Sequence, residues 1–173
     1  TWVNIKPNAK IAALKSDSIA VTTSFYNIHF VFQKIFGDDM GFVAGKDLGV
    51  NPYGNSVIAN GKYLKENPGV VKNFVKVTQK AYAACAKNAD PCITALMDAN
   101  SGLKRGSSMA NWALVKELMD ADSSRNGAIG YFDPARMEAD YKLIEAYFKL
   151  KTPFDIKKTC RNDFLDMSVK FGG

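Results

Sequence analysis

Residues 51–85 read NPYGNSVIANGKYLKENPGVVKNFVKVTQKAYAAC, and this stretch decides the reading of the fold. Asn51-Pro52-Tyr53-Gly54-Asn55 is a turn-rich prelude to Ser56-Val57-Ile58-Ala59, a short strand-like run. Tyr63-Leu64-Lys65-Glu66 forms one helical turn, stopped at Asn67 because the proline that follows disfavours a helical residue before it. Asn67 is then placed to cap a long helix with Pro68 at its first position, where a missing N–H is harmless. Val71, Phe74, Val75, Thr78, Tyr82 and Cys85 recur at spacings of three and four, and Lys72, Lys76, Gln79, Lys80, Ala83 and Lys87 fall opposite. This predicts an amphipathic helix packed by one face onto a larger body.

Toward the N-terminus the pattern is mixed. Thr1–Ile5 alternates like a strand, and Pro7 opens a helix with Ile11, Ala12 and Leu14 on its apolar side. Ile19–Thr22 is β-rich. Thr23 or Ser24 can cap a helix running to about Phe36 and ending at Gly37, and Met40–Ala44 makes a further strand. Strand and helix alternating at this spacing predict an α/β chain with a parallel sheet. Toward the C-terminus the pattern is helical. Asp90-Pro91 and Asp133-Pro134 repeat the cap-then-proline arrangement. Helices are expected to about Ala99, over Ser107–Met119 with Met109, Trp112, Val115 and Met119 inward, and over Pro134–Phe148 with Met137, Tyr141, Ile144 and Phe148 on one stripe. The tail Ser168–Gly173 is expected to fray.

At 47% hydrophobic and 23% charged, the 173 residues suit a soluble globular protein with a proper core. The net charge of +6 is spread along helices, which argues for a solvated surface rather than a nucleic-acid interface. Such a field favours an anionic solute. No run of eighteen apolar residues offers a membrane span. The single histidine, His29, lies in an apolar run, and cysteines 85, 92 and 160 match no zinc spacing. No phosphate loop or dinucleotide fingerprint is present, so neither catalysis, nor a metal, nor a cofactor is expected.

The 51–82 stretch resembles the hinge strand and following helices of ABC-transporter solute-binding proteins, in the NMT1/THI5-like branch related to binders of sulfonates, nitrate, taurine and thiamine-precursor pyrimidines. Pro7–Ala20 and Gly130–Phe164 agree with the same pattern. The resemblance implies the periplasmic-binding-protein type 2 architecture, two α/β lobes closing on a small polar or anionic solute for delivery to an inner-membrane permease, in the periplasm or tethered outside the cell. It places 1–50 in lobe two, 51–60 at a crossover between lobes, and 61–173 in the C-terminal helical part of lobe one. The start at Thr1, without a leader, is read as the C-terminal portion of a longer protein, whose bare apolar faces would invite self-association. The alternative is a biosynthetic enzyme for a pyrimidine or thiamine precursor on the same scaffold. Its fungal representatives rely on a cysteine-rich motif, and no cysteine cluster appears here.

In open α/β sheets, ligands sit beyond strand ends at helix N-termini. Thr23, Ser24, Phe25 and Tyr26 occupy that position, offering hydroxyls, backbone N–H groups and rings for a polar head or a planar group. They equally suit a helix cap and core. Ala20 stands where the family often carries an aspartate. At the crossover, Tyr53 offers a ring and a hydroxyl, and Asn55 a donor and an acceptor; a hinge whose polar groups satisfy only backbone is the other reading. Cys85 ends the long helix and Cys92 lies in the first turn of the next, so a short connection brings them within disulfide reach. The export implied by the resemblance would let the bond persist, and two small buried thiols are the alternative. Cys160 is left over.

Overall fold

The computed structural model describes residues 1–173, and its regular structure is helical throughout. Seven α-helices follow one another: α1 (Lys10–Lys15), α2 (His29–Phe36), α3 (Gly61–Glu66), α4 (Pro68–Lys87), α5 (Ala89–Ala99), α6 (Arg105–Met119) and α7 (Pro134–Tyr147). None is long and apolar enough to cross a membrane. The expected parallel sheet does not form. Thr1–Ile5, Ile19–Thr22, Met40–Ala44 and Ser56–Ala59 have no strand partners and exchange no backbone hydrogen bonds with one another. β-Branched content expresses a preference for a pleated, half-buried surface, and a strand exists only where a neighbour completes its ladder. Within this chain none of the four runs meets one.

Helix ends follow local chemistry, with three departures from expectation. Asp133 caps α7 as its sequence suggests, its carboxylate accepting from the Arg136 amide at 2.9 Å with Pro134 in the first turn. Asn67 does not cap α4 with its side chain, because its amide donates back to the Tyr63 carbonyl at 3.4 Å. The cap of α5 is Asn88, accepting from Asp90 N at 3.2 Å, rather than Asp90 itself. Thr23 and Ser24 cap nothing. The chain enters a 3-10 turn only at Tyr26–Ile28 and the α-helix only at His29. Gly37, with φ of +54°, ends α2 in a conformation that suits glycine.

The long helix buries most of the face its apolar spacing predicts, with Val71, Val75, Thr78 and Cys85 half-buried, but Gln79, Phe74 and Tyr82 depart from it. Gln79, assigned to the solvent side, is 3% exposed, whereas Phe74, assigned to the core, is 58% exposed. The reason lies in the segments packed on α4. The Gln79 amide donates to the Ile129 carbonyl at 2.8 Å and the Asp166 carbonyl at 3.3 Å, and its oxygen accepts from Asp166 N at 2.8 Å. One side chain thus satisfies the backbone of two loops that have no secondary structure to bond with. The C-terminal tail is tied down too: Val169 O accepts from Ile129 N at 2.9 Å, and Phe171 N donates to Ser124 O at 3.0 Å. The expectation of fraying fails because the tail bonds to the helical turn Ser123–Gly127 and to Ile129 just beyond it. On α7, Phe148 leaves the expected stripe and is largely exposed, while Tyr141 is buried and its hydroxyl accepts from Phe154 N at 3.2 Å.

The α4–α5 junction is closed by a disulfide between Cys85 and Cys92, with Cα atoms 5.8 Å apart, and Cys160 is a free, half-buried thiol. Around this body much apolar surface stays open. A compact monomer of 19.0 kDa exposes about 8,400 Å², whereas this chain exposes 12,851 Å². Only eight residues are buried, so the core is thin for the chain length. Val70, Phe74 and Val77 form a bare stripe along α4, each more than half exposed.

Candidate functional site

Two groups of residues stand where the sequence places a site, and they are held by different helices. The first lies before α2. Thr23, Ser24 and Phe25 are exposed, with Phe25 at 76%, and neither the Thr23 nor the Ser24 hydroxyl makes a hydrogen bond. Lys10 Nζ donates to the Thr23 carbonyl at 2.5 Å, fastening the segment to α1. Tyr26 is the anchor. The turn Tyr26–Ile28 packs on α6, and the Tyr26 hydroxyl donates to Glu117, 3.2 Å from each carboxylate oxygen. Its ring is stacked with His29 at 5.6 Å between centroids, and His29 meets Phe42 at 4.4 Å. Partial burial and the adjacent carboxylate raise the Tyr26 pKa, so the phenol stays a neutral donor.

The second group is the turn before α3. Tyr53 is half-buried and held on every side. Its hydroxyl accepts from Asp133 N at 2.8 Å, the edge of Phe132 meets its ring at 5.1 Å, and the Arg136 guanidinium lies 4.0 Å over its face. Arg136 also grips the turn itself. Its Nε donates to Asn51 O at 2.8 Å, and its Nη2 to Asn51 Oδ1 and Pro52 O, both at 3.1 Å. The fork geometry of arginine suits this multiple grasp; a lysine has no matching set of donors. Asp140 stands beside it. Burial raises the Asp140 pKa, opposed by the Arg136 charge and the Tyr53 backbone N–H. Phe132 is fixed in turn by Asn162, which accepts from Phe132 N at 2.9 Å and donates to Phe132 O at 2.8 Å. Asn55 is exposed and makes no hydrogen bond.

Each group therefore combines an anchored aromatic ring with free polar side chains. No hydrogen bond or ring contact joins the group on α6 to the group on α7. Two surface clefts, of about 310 Å³ and 440 Å³, lie elsewhere: one is lined by Lys72, Lys76 and Asp166 among others, and one by the end of α7. Neither includes Thr23, Ser24, Phe25, Tyr26, Tyr53 or Asn55. Glu117 and Arg136 are the site neighbours that sequence reading missed. Both sit in helices whose apolar stripes were read for packing, and nothing in their own spacing points to partners some 85 to 91 residues away.

Residues 1–91, just over half of the chain, match the family described as NMT1/THI5 like. No curated protein and no solved structure matches the chain.

Proposed function

The chain belongs to the NMT1/THI5-like family, and from that premise we propose that it serves solute capture, holding a small polar molecule and handing it to an ABC permease, outside the cytoplasm. One observation supports this above others: two junctions each pair a fixed aromatic ring, Tyr26 or Tyr53, with polar side chains left free of internal bonds, Thr23 and Ser24 or Asn55. Fixed rings and free donors are what a binding surface needs before a ligand arrives. The two groups ride on separate segments, and the stretch Asn51–Asn60 that carries the second is free of helix. That suits the crossover of a hinge, with 1–50 as part of lobe two and 61–173 as the helical part of lobe one, in the α/β frame of the type 2 binding proteins. Ligand would then favour the closed arrangement by touching both groups at once. The bare stripe on α4 suits coverage by another surface, self-association included.

The family also contains biosynthetic members, so the deciding experiment follows the ligand's fate. Native mass spectrometry of the purified protein should retain a small molecule that dissociates unchanged. A molecule recovered covalently bound or chemically altered would favour the enzymatic reading. Sedimentation velocity on the same sample reads self-association directly; a monomer at all concentrations would remove that part.

A further inference from the structure

The group on α6 carries a chemistry that the overall positive charge obscures. Tyr26, His29 and Phe42 pair ring to ring beside α6, with Phe42 51% exposed, and Phe25, next to Tyr26 in the chain, adds a ring that is 76% exposed. At its edge stands Glu117, exposed, its oxygens engaged only by the single Tyr26 hydroxyl. An ionised carboxylate accepts at about four lone-pair positions, so most of its capacity is open. Lys10 is fastened to this segment with its ammonium on the Thr23 carbonyl, and no cation forms an ion pair with Glu117. Ring faces attract cations through their quadrupoles, and a carboxylate beside them adds charge of the same preference. An anion placed there would meet Glu117 and the ring faces, both unfavourable.

We propose that Phe25, Tyr26, His29, Phe42 and Glu117 form a subsite for an organic cation, a planar amidinium-like or alkylammonium group that lies on the rings and is held by Glu117. This rests on the solute-capture reading and gives the solute's head group a sign opposite to that suggested by net charge. Arg136, on α7, does not offset it, because its guanidinium is engaged by Asn51, Pro52 and Tyr53 in the turn before α3.

The test uses two probes of one shape and opposite charge, benzamidine and benzoate. His29 is the chain's only histidine, so its ring C2–H proton gives a single reporter resonance. At one fixed pH, benzamidine should move that resonance saturably and benzoate should not. Glu117→Gln should weaken benzamidine about tenfold or more, the scale of a lost charged hydrogen bond. Phe42→Ala, at an exposed position where folding is little disturbed, should weaken it as well. An unmoved His29 signal, tighter binding of benzoate, or benzamidine affinity unchanged in both variants would overturn the subsite. If native mass spectrometry still retains an unaltered solute in that case, capture stands and only the cation assignment falls; if it retains none, capture falls too.

Discussion

Removing the Cys85–Cys92 bond by a Cys85→Ala/Cys92→Ala double substitution tests the packing of α4 on α5 with a magnitude that can be worked out beforehand. The two cysteines are seven residues apart in sequence, so the closed loop is short. With about eight residues in the loop, the chain-entropy relation gives about 2.5 kcal/mol at 25 °C. For a chain of this length that corresponds to a fall in melting temperature of about 5–10 °C. The alternative account of disulfide stabilisation is enthalpic, and it carries no such dependence on loop length. Circular dichroism melts of the oxidised protein, the dithiothreitol-reduced protein and the double variant separate the possibilities. Reduction and substitution should lower the midpoint by the same amount, because neither alanine leaves a polar group behind. Thiol titration of denatured, unreduced protein should find one reactive group, Cys160. Equal midpoints for variant and wild type, or three reactive thiols per chain, would refute the reasoning.

Three further outcomes are expected. Gln79→Leu keeps the side-chain volume but strands the Ile129 carbonyl and the Asp166 N–H, and should cost about 2–4 kcal/mol in urea unfolding. Arg136→Lys keeps the charge but loses the fork on Asn51 and Pro52, and should weaken the turn by about 1–2 kcal/mol, read as faster hydrogen exchange of the Tyr53 amide with exchange in α5 unchanged. The Asp166 carboxyl is lowered from 3.8 to about 2, chiefly by the Ser168 hydroxyl, then by the Ser168 N–H and Lys76. A depressed folded pKa stabilises above the unfolded value and is lost as pH falls through the folded one. The urea-midpoint advantage of wild type over Asp166→Asn should therefore be full above about pH 5 and shrink as pH falls toward about 2.

How much of this was legible from the residues divides along a physical line. Local chemistry was readable: Pro68 and Pro134 mark helix starts, Gly37 marks a stop, and the short α4–α5 connection brings Cys85 to Cys92. Non-local pairing was not. Ile19–Thr22 and Met40–Ala44 have the composition of strands, but a ladder depends on a neighbour that the run's own residues do not specify. The Thr23–Tyr26 segment was a candidate from its place before a helix and Asn51–Asn55 from its resemblance to a crossover, while Glu117 and Arg136, which hold them, had no such signal. Each contact joins residues some 85 to 91 positions apart, and no spacing rule reaches that far.

Gln79 shows where hydrophobic periodicity falls short on α4, whose buried side is otherwise the expected Val71, Val75, Thr78 and Cys85. Periodicity assumes that a helix buries apolar groups against apolar groups. Here the surfaces laid on α4 are loops, Ala128–Gly130 and Leu165–Met167, whose backbone amides and carbonyls lack helical partners. Buried backbone polar groups must be satisfied, and leaving one unpaired costs more than a typical apolar contact returns. A glutamine with one acceptor and two donors meets that need where a valine cannot. Gln79 therefore faces inward, and the apolar stripe Val70, Phe74 and Val77 is left toward solvent. The orientation of α4 is thus set by hydrogen-bond satisfaction under the loops, and the exposed stripe is its consequence rather than an independent feature. On this argument Gln79→Leu should do more than destabilise: by removing the polar tie that fixes the rotation of α4, it should also change how much of the Val70–Val77 stripe binds an apolar dye. Dye binding identical to wild type in folded Gln79→Leu would show that the rotation is fixed by something other than the glutamine.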